Sequence, residues 1–366
     1  MSATTVDIIN DYQTFVGLEP AWNDTVDRAG HTHPFLRHEW LRAWWDSFGP
    51  GRSLNVMVIR SGNRILGLAP LMLETAKMYG VPVKRIQFLH NDHTPKADLI
   101  VAERPDEVYQ AFWKTLMDAR GRWDVLQFSQ LPADSPTLGE IARRAAIEQY
   151  PTTLWRSDVS PYLELNTSWD SYLASLNSKL KQNLRNRLNR LTKLGEPRLE
   201  VISGVQAIRE ARDEALALEA SGWKKEAGTA IHSDPQVLQF YTLLADRAAE
   251  CDWLRLLFLT VNGKRIATSY SSRYQDRLSF FKTGYDPEYA QYAPFKLLTY
   301  FLIRDGYADG LREVDFLGDA EPWKLEWTST TRPHDWLFVF GNTLRSKLVH
   351  TAKCRLMPAM KHWLRR

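Results

Sequence analysis

A carboxylate that closes a β-strand stands at the edge of a sheet, where clefts form, and Asp315 in "LREVDFLG" has that placement. There it can take a proton, or it can cap the turn before Pro322. Glu321 is a weaker candidate of the same kind. A second stretch, "SLNSKLKQNLRNRLNRLTKLG" at 175–195, carries six Lys or Arg residues and no acid, a composition suited to holding an anion. Two histidine pairs, "HTH" at 31–33 and "HNDH" at 90–93, lack the i, i+4 helical spacing and the cysteine partners of a common zinc site. His90, Asn91 and Asp92 follow a strand, so their loop can line a cleft; a satisfied loop histidine is the plainer reading. The chain holds no Gly-x-Ser-x-Gly elbow, Walker loop or dinucleotide fingerprint, which argues against serine hydrolases, NTPases and dehydrogenases.

These groups need elements to position them. Leucines at 173, 176, 180, 184, 188, 191 and 194 recur every three or four residues, which makes the basic stretch an amphipathic helix stopped by Gly195 and Pro197. Its stripe is expected to pack on the protein's own core, with the cations either solvated or turned toward an anion.

An order of elements repeats along the chain. "LNVMVIRSGNRILGLAPLML" reads strand, Gly-Asn turn, strand, and is followed by the strand-like "KRIQFLH", the helical "DEVYQAFWKTLMDARG" and the strand-like "WDVLQFSQLP". "LRLLFLTVNGKRIATSYSSRY", "LSFFKTG", "PFKLLTYFLIRDG" and "LREVDFLG" run in the same order. The hairpin turns carry Asn and Gly, and each helix is predicted to end at a glycine, Gly121 and Gly306. The pattern predicts a duplicated mixed α/β unit.

Composition fits that size. The 366 residues are 44% hydrophobic and 25% charged, as in an ordinary globular protein, and contain no uncharged apolar run long enough to span a membrane. The first residues lack the basic-then-apolar pattern of an export signal. Cys251 and Cys354, the only cysteines, make no disulfide framework, and a reducing cytoplasm is expected. The net charge is +4, yet the tail 342–366 carries seven Lys or Arg and no acid, and 173–194 carries six; without those cations the remainder stands at −9. A general nucleic-acid binder would spread its charge over a broad face. In the tail, Leu344, Leu348, Leu356, Met360 and Trp363 fall near one helical side, and Pro358 is expected to kink it. Such a segment can lie on an anionic membrane surface or dock on the protein.

Several stretches together resemble the CelD-like acyltransferases, a branch of the GNAT superfamily related to the FemAB peptidyltransferases. They are "HPFLRHEWLRAWWDSFG" at 33–49, "GLAPLML" at 67–73, the basic helix, "EASGWKKEAGTAI" at 219–231 and "VDFLGDAEPWKLEW" at 314–327. The resemblance implies two tandem GNAT-like folds with α/β mixed sheets: residues 1–165, residues 166–341, and a basic tail, 342–366. It implies transfer of an acyl group from acyl-CoA or an acyl carrier protein, with no permanently bound cofactor, to the amine of a lipid or cell-envelope precursor. Bacterial ceramide synthases, which acylate a long-chain base, are similar. A tRNA-dependent aminoacyl transferase and a non-catalytic GNAT-like binding protein in exopolysaccharide assembly are the alternatives.

The resemblance also nominates residues. Asp315 and Glu321 are the proton-accepting candidates, and Lys324 matches a position where a cation near the tetrahedral intermediate suits the chemistry. Trp223 and Lys224 match the Trp-Lys element. Tyr285 follows the strand "LSFFKTG", whose backbone would offer an N–H to the oxyanion. Relatives commonly hold coenzyme A pyrophosphate on a glycine-rich turn at a helix N-terminus, but "YAPFKLL" has Phe295 there, so Lys296 and Lys179, Lys181 and Arg185 of the basic helix are expected to supply the charge. Trp323 stands where the family has Tyr.

Overall fold

The computed structural model describes residues 3–221 and 231–356. Two units of the same design follow one another. In the first half, β1 (Thr4–Ile9) precedes a helical segment and the short β2 (Ser53–Leu54); β3 (Val56–Ser61), β4 (Arg64–Ala69), β5 (Leu71–Met78), β6 (Val81–Phe88), β7 (Ile100–Val101), β8 (Val125–Pro132) and β9 (Thr152–Glu164) complete it. The second half supplies β10 (Pro197–Ile202), β11 (Leu254–Val261), β12 (Lys264–Tyr274), β13 (Arg277–Tyr285), β14 (Glu313–Asp315) and β15 (Thr331–Phe340).

The pairings repeat in sense and order. β1–β3, β3–β4 and β5–β6 are antiparallel and β6–β8 is parallel, with Pro70 separating β4 from β5. Likewise β10–β11, β11–β12 and β12–β13 are antiparallel and β13–β14 is parallel. The two parallel registers coincide. Arg85, Ile86 and Gln87 face Val125, Leu126 and Gln127, as Arg277, Leu278 and Ser279 face Glu313, Val314 and Asp315. Each parallel crossover uses one helix, Pro105–Asp118 or Pro294–Ala308, entered through a left-handed residue (Arg104, Ala293; φ 47° in both) and a proline at its first position. Proline suits that place because its missing N–H has no partner to lose.

The halves exchange strands. β9 pairs with β14 of the second half, while β15 pairs with β8 of the first and with β9, joining everything from β10 to β2 into one 11-stranded sheet. One core also spans the halves: the helix His38–Phe48 lays Trp40 against Trp253 (6.3 Å between ring centroids) and Phe240 (5.5 Å).

Two sequence expectations change, both at helix ends. The first crossover helix ends at Asp118, before Gly121. Gly306 lies inside its helix instead of ending it; a Cβ there would sit 3.2 Å from Leu165 and 3.3 Å from Leu311, so the glycine serves packing, and Gly310 (φ 70°) is the stop. The basic helix, Ser178–Thr192, does bury Leu180, Leu184 and Leu191, each worth about 1.5–3 kcal/mol. The Leu344–Thr351 helix lies on the sheet, with Val349 packed among Val83, Val125, Phe338 and Phe340, while Leu344 and Leu348 face outward, 80% and 59% exposed. Among the described residues no helix is long and apolar enough to cross a membrane.

Candidate active site

β14 is only three residues long, and its brevity makes the site. After Ser279–Asp315 it leaves β13, which runs on to Tyr285, and after Asp315–Tyr162 it leaves β9. A parallel pair that separates leaves one edge of its longer strand without a ladder partner. β13 also carries a bulge at Phe281: Tyr270 faces Lys282, whereas Ser271 faces Phe280. Bulges turn side chains and amides out of register and occur beside active sites. The chain after β14 turns through two left-handed residues, Leu317 (φ 53°) and Gly318 (φ 57°).

A cavity of about 440 Å³ fills this opening. Its walls are the β13 backbone from Phe280 to Tyr285 and the rings of Phe280, Phe295, Phe316 and Trp323, with Glu219, Glu321 and Lys324 as polar members. Phe295 and Phe316 each meet Trp323 edge to face, at 5.2 and 6.0 Å. On the other side of Phe280–Lys282 lies a smaller groove of about 170 Å³, to which the first half contributes Asp92, His93, Gln130 and Asp158. Phe280, Phe281, Lys282, Phe316 and Lys324 border both spaces. Gly284 is needed where β13 meets the helix Val205–Glu219, since a Cβ would come 2.3 Å from Leu218 O and 2.5 Å from Glu219 Cα.

The nominated residues separate into two groups. Tyr285, Glu321 and Lys324 line the larger cavity. Lys324 is buried and its ammonium donates to Leu317 O (2.7 Å) and Asp319 O (2.9 Å), so it fixes the turn after β14; Glu321 lies 3.3 Å from it and accepts from Trp323 Nε1 (2.8 Å).

Asp315 does not line either space. It is 1% exposed, receives Lys96 Nζ at 2.5 Å, Arg332 Nη1 at 3.3 Å and Leu317 N–H at 2.9 Å. Burial by itself would raise its pKa, but the Lys96 and Arg332 charges and the Leu317 N–H together hold it below the ordinary aspartate value. A carboxylate so placed is a tie between halves, not an accessible base.

The cations of the basic helix stand apart from the cavity. Lys179 and Arg185 face solvent and Lys181 donates to Ala174 O (2.7 Å); none of the three lines the cavity. Arg187 and Arg190, which were not singled out, instead brace the turn Pro287–Tyr292 ahead of the second crossover helix. Arg187 donates to Gln291 O (2.7 Å), and Arg190 to Gln291 Oε1 (2.9 Å). Lys296 is paired with Glu326. Trp223 and Lys224 lie outside the described residues, as do Pro358, Met360 and Trp363.

Of the first-half groove residues, His93 lies in the 90–93 loop expected to line a cleft, whereas Gln130 and Asp158 were missed. Only the position of that loop hinted at them. Burial, then the charge of Lys282, pushes His93 down to about 4, so the ring is neutral. No group of three or more His, Cys, Asp or Glu among the described residues could hold a metal.

Residues 178–325 match the family model described as an acetyltransferase (GNAT) domain, a span that contains the whole larger cavity. No curated protein matches the chain. Among solved structures it is similar to FemX (11% identity, TM-score 0.59), covering 93% of this chain and 98% of that one. It is similar to the C-terminal domain of what is described as a lysylphosphatidylglycerol synthetase of Agrobacterium fabrum (13%, TM-score 0.54; 90% and 95% covered). L-PGS of Bacillus licheniformis is another such structure (14%, TM-score 0.51; 86% and 94% covered). At these identities the likeness is one of fold. The fold is a mixed α/β GNAT-like one, and the acetyltransferase (GNAT) domain match over residues 178–325 supports an acyltransferase.

Proposed function

We propose that the protein transfers an acyl group from acyl-CoA, or an acyl carrier protein thioester, to the amine of a lipid such as a long-chain base or of a cell-envelope precursor. The observation that carries this is the opened β13–β14 pair: a bulged strand with an aromatic cavity on one side and a groove shared by both halves on the other. The thioester carbonyl would lie along the bulged stretch Phe281–Lys282, whose backbone borders both spaces and would offer an N–H to the oxyanion, and the rings of Phe295, Phe316 and Trp323 would enclose an acyl chain. Tyr285, Glu321 and Lys324 border that chain's path, whereas Asp315 acts beneath it. Acetyl- to palmitoyl-coenzyme A, offered with amine-bearing lipids, should release thiol in a chain-length-dependent manner. Mass spectrometry of lipids and envelope precursors from cells with and without the protein then names the acceptor. No thiol release with any thioester, and no missing acylated species, would sink the proposal.

One observation favours a second reading, aminoacyl transfer from tRNA: Lys179 and Arg185 project to solvent rather than into the cavity. That reading requires strongly salt-dependent tRNA binding, because released counterions steepen the dependence.

A cytoplasmic protein lying peripherally on an anionic membrane surface suits a lipid acceptor. The exposed Leu344 and Leu348, beside the exposed Arg345 and Lys347, support it. Because the helix also covers Phe338 and Phe340, the proper probe is L344S/L348S, which should weaken sedimentation with anionic vesicles; unchanged sedimentation refutes the role.

A further inference from the structure

We infer that Asp158, supplied by the first half, is the proton acceptor of the transfer, and that the acceptor enters the groove between the halves as a primary ammonium. This rests on the acyl-transfer reading above.

The placement comes from β14. Where it leaves β9 beyond Pro161, β9 continues along the groove with Asp158 facing the space that Phe281, Lys282 and Leu317 border from the other half. A nitrogen in the groove and a carbonyl in the aromatic cavity therefore meet at the one bulged strand both spaces share.

The carboxylate is held in place at some cost. Gln130 adopts a left-handed backbone (φ 56°), unfavourable for a residue with a side chain, and is 8% exposed. From there its Nε2 donates to Asp158 Oδ2 (2.6 Å), its Oε1 accepts from Ser157 Oγ (2.8 Å), and its backbone O accepts from Ala97 N–H (3.1 Å). Gln130 is thus a positioning residue that fixes one carboxylate oxygen of the groove-lining Asp158.

Carboxylates gather at the Asp158 end of the groove and suit a cation there, while Lys282 and Lys324 line the wall given by the second half. Asp92 and Asp319 face Asp158, and the ammonium of Lys324 is already engaged by two backbone carbonyls. Burial, reinforced by Asp319 and Asp92 and opposed by Gln130 and Lys324, raises the pKa of Asp158, which makes its carboxylate a better base. His93 is the competing base. Its ring lies flat against Phe48 (5.9 Å, 9°), and Lys282 opposes any positive charge beside it.

In the step itself the ammonium gives one proton to Asp158, and the freed nitrogen lone pair forms the C–N bond at the thioester carbonyl. The C–S bond then breaks, the thiolate takes the second proton from nitrogen, and Asp158 returns the first to solvent.

The test uses the full chain with three probes: the thioether S-dodecyl-coenzyme A, dodecylammonium and dodecanol, each titrated calorimetrically into wild type, D158N and Q130A. Thioether binding should be alike in all three, which also reports that the variants fold. Dodecylammonium should bind D158N about tenfold more weakly or worse, and dodecanol should not distinguish the proteins. Thiol release from dodecanoyl-coenzyme A with dodecylamine should fall about a hundredfold or more in D158N, with the pH dependence of the remainder flattened. D158N that binds ammonium and turns over like wild type overturns the inference. A wild type that binds ammonium through Asp158 but binds no thioether overturns the donor reading and leaves the carboxylate assignment standing.

Discussion

Lys96 Nζ and Asp315 Oδ2 lie 2.5 Å apart, both nearly solvent-free, and their chain positions belong to different halves. The loop that carries Lys96 also donates Ala97 N–H to Gln130 O and presents Asp92 and His93 to the groove. In the first half this loop fills the opening beyond the β6–β8 pairing; in the second half the equivalent opening is the cavity.

Lys96→Met should therefore destabilise the protein by about 3–5 kcal/mol, because it leaves Asp315 buried with only Arg332 as a charged partner. Urea unfolding measures the loss. The Asp315 contribution is present above the unfolded aspartate pKa of about 3.9 and disappears as pH falls through the lower folded value. An unchanged midpoint in the variant would show that the pair does not tie the halves.

Acid sensitivity should begin well above the range where carboxylates titrate. His334 is fully buried, both of its ring nitrogens lack partners, and burial, aided by the Lys96 charge, pushes it down to about 4. A neutral histidine of this kind contributes stability above the unfolded value of about 6.5, lost progressively down to about 4, on the order of 3 kcal/mol in all. His334→Leu should narrow the difference in Tm between pH 7.5 and pH 5. An equal difference in both proteins would place the acid sensitivity elsewhere.

Gly284→Ala should cost about 1–3 kcal/mol, since its Cβ meets the Leu218 and Glu219 backbone, which has no flexible end to yield. Because β13 forms the cavity wall, thioether binding should weaken together with Tm. A variant with normal binding and a normal Tm contradicts the close packing described for this strand.

Phe295→Ala should reduce the preference for long over short acyl donors about 10- to 100-fold, the equivalent of losing about 1.5–3 kcal/mol of ring contact. The comparison is dodecanoyl- against acetyl-coenzyme A, by kcat/KM. Equal losses for both donors would mean that the ring does not touch the acyl chain.

Much of the fold was legible because duplication leaves local traces. "RIQFLH" and "RLSFFK" keep an arginine, an aliphatic, a small or polar residue and a phenylalanine in the same order, and the structure gives them equivalent parallel registers. Asp315 was read correctly as a strand end, but its environment depends on Lys96, distant in sequence, which no periodicity reports. The leucine stripe fixed which side of the basic helix is buried; it left open where an exposed lysine points, because solvated side chains impose no spacing. Asp158 escaped notice for a related reason. It sits inside a long strand, and it reaches a groove only because a partner strand from the other half stops three residues after it starts.

The exchange of β9 and β15 bears on how the polypeptide is made. A nascent chain that has emerged only as far as residue 330 holds β8 paired with β6 alone and β9 with one side bare, although every strand of the first half is already synthesised. The amino-terminal unit therefore finishes assembling only after the carboxy-terminal one has been translated. Severing the chain at residue 165 would yield two fragments, each missing a strand that the other retains.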